Sequence, residues 1–244
     1  IYLYIMKIQI SSAIALLFSF AGFAQTIEPI SLESSDTAQQ EWLQSFSAVE
    51  INAPLNILFI RIPAAEAPKI IYDTKGAYTT KFRFDIKNHV LRINEKADSR
   101  RPEQTIVTVY YNSLESLSLF DATASFREPI IADLFDLTIG SRAALTTTLN
   151  VKDLKMNVTG NSSVTLDGSA RYLTLDASTG KVDALNLVVM AARVNATSGA
   201  SVMLDATERL EATTSTSGTV YYKTEPSIMR GGIHFMGGNI EQAK

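Results

Sequence analysis

Two periods of apolar residues follow one another along the chain. The first is a period of two. Val49 and Ile51 alternate with polar neighbours, and Phe82, Phe84 and Ile86 alternate with Lys81, Arg83 and Asp85, the pattern of strands with one buried face. Leu55 to Ile62 (LNILFIRI) is apolar on both faces until Pro63 interrupts it, as expected of a strand covered on both sides. Val90–Ile93 and Thr105–Tyr111 (TIVTVYY) complete this set. A turn at Lys87-Asn88-His89 and a charged loop from Glu95 to Glu103 separate them.

From Leu114 a longer period takes over. Gly140, Gly160, Gly180, Gly199 and Gly218 follow one another at intervals of 20, 20, 19 and 19 residues. Each precedes an apolar or Thr-rich run: Ala143–Leu145, Val164–Leu166, Val182–Leu185, Val202–Leu204 and Val220–Tyr222. A repeat of this length signals stacked supersecondary units. Leu117-Ser118-Leu119-Phe120 reads as a first, degenerate coil, with Thr123 where later coils carry Gly, and further coils open at Leu134, Leu154, Leu173, Ala192 and Leu210. Thr, Val and recurring Gly exclude a helical face. The expected fold is all-β: a parallel β-helix, or solenoid, of roughly 20-residue rungs. Strands of about five residues, rising ~3.3 Å per residue, form each rung, and rungs stack at ~4.8 Å with Leu, Val and Ala aligned inside. The repeating Gly is expected to supply a turn.

The organisation expected along the chain has four parts. Residues 1–24 read as an export signal: Met6-Lys7, an apolar core from Ala13 to Phe20, and small residues at Ala21-Gly22-Phe23-Ala24 before Gln25, in the order of a secretory leader. Residues 25–41 are polar and read as a flexible lead-in. Residues 42–113 form an N-terminal β region packing on and capping the solenoid, which occupies 114–242. After Tyr222 the repeat fades, and Gly231-Gly232, His234-Phe235 and Gly237-Gly238 suggest an irregular last rung that covers the open end.

Composition narrows the chemistry. The net charge is −3, from 22 basic and 25 acidic residues, too even for a field that recruits nucleic acid. The chain has no cysteine, which excludes disulfides, thiolate catalysis and Cys-ligated metals. With 2 histidines, a His-rich metal centre is not expected. Removing 1–24 takes away Lys7 alone, so the mature charge is 21 − 25 = −4, and no transmembrane span is expected in what is left.

One polar column recurs in the repeat. Asn157, Asp176 and Asn195 are 19 residues apart, and Thr213 or Thr214 continues the line. The reading adopted is a ladder at a turn, satisfying neighbouring backbone groups; a single carboxylate among amides makes a poor cation site. The Asn-x-Ser/Thr triplets at Asn157, Asn161 and Asn195 are expected in so Thr- and Ser-rich a repeat. For glycoside hydrolysis two carboxylates must face each other at ~5–9.5 Å. Asp167 and Asp205 close equivalent segments two rungs apart, with no acid after Leu185 between them, while Asp133, Asp136 and Asp153 lie near rung openings. Arg171, Lys181 and Arg193 sit on successive rungs at different offsets. No nucleophile elbow, phosphate loop or Zn-binding helix motif occurs. Tyr110-Tyr111 and Tyr221-Tyr222 are expected to place one ring in the core and one on a face. No catalytic, metal or cofactor-binding residue is assigned.

The layout resembles the auto-transporter adhesin, head GIN domain family of secreted bacterial proteins common in Bacteroidetes. The resemblance runs from about Phe46 to Gln242. It rests on Phe46-x-x-Val49-x-Ile51, on Val90-Leu91-Arg92-Ile93, on Val107–Tyr111 leading to Leu114 and Leu117, on rungs such as Thr197-Ser198-Gly199-Ala200-Ser201-Val202, and on Gly237-Gly238-Asn239-Ile240. The triplet Gly-Ile-Asn itself does not occur, and Gly160-Asn161 and Gly180-Lys181 depart from the usual Gly-Ala or Gly-Ser pair. The resemblance implies a parallel β-helix-like fold and an exported location, in the periplasm, on the outer-membrane surface or outside the cell, and carries no catalytic residues over. The function expected is a non-catalytic module that binds a cell-envelope or extracellular protein or glycan through a β-helix face. A carbohydrate-active enzyme and a structural protein whose exposed end pairs with another copy are the alternatives.

Overall fold

The computed structural model describes residues 37–75, 81–96, 103–231 and 236–243. The expected export signal, most of the lead-in and His234-Phe235 lie outside the described residues. Among the described residues seventeen strands form one continuous sheet. In chain order they are β1 (Gln39–Trp42), β2 (Ala48–Asn52), β3 (Leu55–Arg61), β4 (Lys69–Asp73), β5 (Phe82–Lys87), β6 (Val90–Glu95), β7 (Thr105–Tyr111), β8 (Ser116–Phe120) and β9 (Thr123–Phe126). Then come β10 (Ile130–Gly140), β11 (Ala144–Thr159), β12 (Ser163–Ser178), β13 (Lys181–Thr197), β14 (Ser201–Thr214), β15 (Thr219–Tyr222), β16 (Ile228–Gly231) and β17 (Asn239–Gln242). The chain is all-β, 71% strand, and winds into a solenoid of about 6 turns.

The rungs are parallel and nearly in register. Phe135 pairs with Leu154, Leu154 with Leu173, Leu173 with Ala192 and Ala192 with Leu210. All five point inward and are buried. Beside them runs a second inner column of Leu137, Met156, Leu175, Val194 and Ala212. On the facing wall Leu145, Val164, Val182, Val202 and Val220 align in the same way. Burying each such side chain contributes roughly 1.5–3 kcal/mol, and no rung can achieve that without a neighbour.

This register corrects one expectation. Leu154, Leu173, Ala192 and Leu210 do begin equivalent inner segments, but their partner in the first long rung is Phe135, and Leu134 is 64% exposed. In a strand a shift of one residue exchanges inside for outside.

The long strands β10 to β13 bend without breaking. Pairing skips Asp133, Lys152, Arg171 and Met190, which line up as one corner of the coil. Two of the recurring glycines supply the left-handed turn residue as expected, Gly160 at φ 64° and Gly199 at φ 79°, but beside Gly140, Gly180 and Gly218 the left-handed residues are Ser141, Thr179 and Thr216-Ser217. Gly218 is needed there for room: a Cβ would come 2.1 Å from the Ala196 carbonyl oxygen.

The region before residue 114 does more than close the end. β2 and β3 form a rung sandwiched between β6–β7 on one side and β8–β9 on the other, all parallel. Parallel stacking thus begins at Ala48, earlier than the repeat suggests, because Ala48 is in register with Val90 and with Ser116 and neither spacing is near 20. Antiparallel strands terminate the stack: β5 on β6, β4 on β7 and β1 on β4. Gln39–Glu41, expected within the lead-in, belong to β1. Their polarity reflects an outermost strand that is exposed along its length, and the Tyr72 hydroxyl lies within hydrogen-bond reach of the side-chain oxygens of both Gln39 and Glu41.

Candidate binding face

Alternate residues of each rung point outward, so parallel stacking converts the sequence repeat into outward columns along one wall of the coil. The first column past the Arg171 corner is Leu134, Asp153, Tyr172, Ala191, Arg209 and Ile228. The next is Asp136, Lys155, Thr174, Arg193, Glu211 and Arg230, followed by Thr138, Asn157, Asp176, Asn195 and Thr213.

The third column contains the polar ladder. Its members stand inside the strands, one or two residues before each strand ends, and face outward rather than sitting in the turn itself as expected. Asn195 Nδ2 donates to Asp176 Oδ1 at 3.3 Å, so the contact joins neighbouring rungs through side chains. An exposed bond of this kind stabilises weakly. Asn195→Ala is therefore expected to lower stability by less than about 0.5 kcal/mol in urea unfolding, far below the cost of losing a buried bond. A loss several times larger would contradict this placement.

The densest charge lies at the end of the first two columns. Arg193 Nη2 is 3.0 Å from Glu211 Oε2, Arg209 Nη2 contacts Oε1 closely, and Arg230 Nη1 is 3.6 Å from Oε1. Hydrogen bonds from Arg209 first, then from Arg193, hold the Glu211 carboxyl below the usual carboxylate range. Three guanidinium groups share one carboxylate, and a positive excess is left on the surface. Beside them lies a shallow hollow of about 290 Å³ bounded by Tyr172, Thr174, Ala191, Arg193, Arg209 and Glu211. Its depth comes from Ala191, a small side chain standing between Tyr172 on one rung and Arg209 on the other. The Tyr172 ring is 41% exposed, and the Arg171 guanidinium lies 5.4 Å from its centroid.

Of the aromatic pairs singled out from sequence, Tyr110-Tyr111 is placed otherwise, with both rings buried, while Tyr221-Tyr222 has one ring on the core. Tyr111 is buried in the main core against Phe59 and Phe126, and burial pushes its hydroxyl up to about 12. Tyr110 is buried in a second apolar cluster on the opposite side of the same strand, under the Lys69 ammonium. Tyr221 and Tyr222 are partly covered, with Tyr222 packed on the core. On the outer wall the exposed ring is that of Tyr172, beside Arg171 on β12 and one rung from Arg193 on β13; the sequence singles out both arginines but not the ring. Glu211, Arg209 and Arg230 were also missed; the 18- and 19-residue steps from Arg193 to Glu211 and Arg230 were the available signal.

The acids do not converge. Asp167 is in register with Asn186 and Asp205 with Val188, two positions further along β13. Asp205 is buried, with Oδ2 4.0 Å from Lys223 Nζ. Asp133 is bound to Lys152 at 2.8 Å, and Asp136 and Asp153 occupy separate outward columns. Among the described residues no group of three or more His, Asp or Glu side chains could hold a metal ion, and no helix is long and apolar enough to cross a membrane.

Fold and surface together define a parallel β-solenoid with a filled core and a long, side-chain-bearing outer wall. The chain belongs to the family described as "Putative auto-transporter adhesin, head GIN domain", whose model matches residues 45–226. Its fold is shared by the crystal structure of a putative adhesin from Bacteroides fragilis NCTC 9343, with a TM-score of 0.76 and 17% identity over 84% of this chain and 96% of that one. A putative adhesin from Parabacteroides merdae ATCC 43184 aligns with a TM-score of 0.62 and 18% identity over 85% of this chain and 95% of that one. A putative lipid binding protein from Parabacteroides distasonis ATCC 8503 aligns with a TM-score of 0.63 and 13% identity over 86% and 98%. No curated protein matches the chain.

Proposed function

We propose that this protein is an exported, non-catalytic, adhesin-like surface module that holds a cell-envelope or extracellular protein or glycan on the outer wall of its solenoid. The observation that carries this reading is the set of outward columns that continue from rung to rung along the strands that start at Leu134. Solenoids use such walls for extended contacts. Family membership supports the adhesin-like character, and the N-terminal leader pattern supports export. The dispersal of Asp167 and Asp205 over different rung positions supports binding without turnover, since hydrolysis requires a facing pair.

A glycan array combined with a reducing-sugar assay and light scattering on the chain from Gln25 onward tests the reading. Retention of a glycan or an envelope protein without release of sugar ends is expected. Appearance of new reducing or unsaturated ends would make the protein an enzyme. Self-association with no ligand retained would make it an assembly protein built on the exposed edges of β16 and β17.

A further inference from the structure

We infer that the hollow between Tyr172 and Arg209 is a binding subsite for an acidic saccharide, a sugar unit carrying a carboxylate. The inference rests on the binding reading above and specifies its ligand.

Charge is the first argument. Arg193, Arg209 and Arg230 converge on the Glu211 carboxylate, which can neutralise only one of them. Arg193 and Arg230 are 74% and 67% exposed, so each keeps donors free for solvent or ligand. A planar guanidinium presents paired donors that match a carboxylate. Of the other acids in these outward columns, Asp176 accepts from Asn195 and Asp153 lies on the far side of Tyr172 from the arginines, while exposed Glu208 precedes Arg209 at the corner, outside the columns.

Shape is the second argument. Tyr172, Ala191 and Arg209 occupy the same outward position on three consecutive rungs. Two rung spacings, ~9.6 Å, therefore separate the backbone carrying the ring from the backbone carrying the guanidinium, and only a methyl group fills the space between. A pyranose ring fits this hollow with its apolar face toward Tyr172, which offers an aromatic body and a hydroxyl tip. Its carboxylate then points toward Arg193 and Arg209, and Thr174 offers a hydroxyl to the sugar's own. An acidic peptide would use the arginines and leave the ring without a role; the saccharide uses both.

Glu211 gives the inference a signature. As the internal competitor for the same guanidinium groups, it holds them in place and also holds them back. Neutralising it should strengthen binding of an anion, whereas loss of a merely structural ion pair would bring no gain.

The test is titration calorimetry of the intact chain with an oligogalacturonate hexamer, a neutral galactose hexamer and poly-glutamate. The oligogalacturonate is expected to bind, with affinity falling as salt rises, and to bind at least about tenfold more tightly than either control. Arg193→Gln is expected to weaken it by about tenfold or more, the loss of a charge-assisted bond. Tyr172→Ala should weaken it by about three- to tenfold, and Glu211→Gln should tighten it. Thermal unfolding of each variant establishes that it is folded, and Arg230→Gln replaces Arg193→Gln if that variant does not fold. Equal binding of the neutral hexamer or of poly-glutamate, an unaffected Tyr172→Ala, or weaker binding by Glu211→Gln overturns the inference. If the oligogalacturonate fails while the array retains another glycan or protein, this subsite is wrong and the binding reading stands. If nothing is retained in either experiment, both fall.

Discussion

Leu204→Asp is expected to abolish the cooperative unfolding transition in urea, while Met203→Asp, one residue away, leaves it nearly unchanged. Leu204 is fully buried and stacks between Ala184 and Tyr222 on adjacent rungs. The substitution forfeits roughly 1.5–3 kcal/mol of apolar burial and strands a carboxylate in the core, at a cost of several kcal/mol more. The sum rivals the whole stability of a typical domain, roughly 5–15 kcal/mol. Met203 faces outward on the same strand, in register with Asp183 and Tyr221, so an added carboxylate costs at most about 1 kcal/mol of like-charge repulsion. Leu204→Met, which conserves volume, should cost less than about 1.5 kcal/mol. Circular dichroism followed through urea unfolding reads all three. Equal tolerance of Asp at 203 and 204 would mean that the wall has no defined inside, and the register described above would be wrong.

The stacking was legible in the sequence because a coil of constant length puts like residues on like positions. Leu154, Leu173 and Ala192 could be aligned from their 19-residue spacing alone. The alignment failed at Leu134 because Leu134-Phe135 is an apolar pair, and either residue satisfies the period. Only the corner at Asp133 decides which turns inward. The β2–β3 rung was hidden for another reason. Its neighbours in space are 42 and 68 residues away, at Val90 and Ser116, because β4 and β5 intervene before the coil resumes. A fixed-period reading has no access to such an insertion, and a period of two looks alike in an antiparallel hairpin and in a parallel rung.

The binding face was less legible than the fold. Its residue types are ordinary, and Tyr172 and Arg193 become neighbours of Arg209 only through parallel register. Three register shifts also blur the count. Thr165 to Asp167 is opposed by a stretch of β13 one residue longer, β13 runs three residues longer than β14 between Ala184 and Val188, and β14 runs one longer opposite Val189 to Ala191, so acids and bases that look equivalent by counting, such as Asp167 and Asp205, are not. The polar ladder was recognised as a column, but its depth was misjudged because polarity alone does not separate a satisfied turn from an exposed face.

Gly168→Ala is expected to be the most damaging of the conservative glycine substitutions, costing about 3 kcal/mol or more through combined backbone strain and collision. Gly168 lies outside the set of repeating glycines, next to the irregular register after Thr165, and its φ is +104°. That is a conformation in which a side chain is strained wherever it points. Space is also lacking: a Cβ would come 2.1 Å from the Leu149 carbonyl oxygen on the adjacent rung, and neither backbone can move without disturbing the Leu149 and Leu187 pairings that flank it. Two other glycines separate the contributions. Gly199 has φ +79° with nothing within 4 Å of a Cβ, so Gly199→Ala carries strain alone and should cost about 1 kcal/mol. Gly231 has neither a positive φ nor a neighbour within 4 Å, and Gly231→Ala should be neutral or slightly stabilising because the unfolded chain loses freedom. Urea midpoints of the three variants should therefore fall in the order Gly231→Ala, Gly199→Ala, Gly168→Ala. A Gly168→Ala protein as stable as the Gly199→Ala one would show that the rungs of β11 and β12 separate readily at this corner, and the tight interlock assigned to it would have to be abandoned.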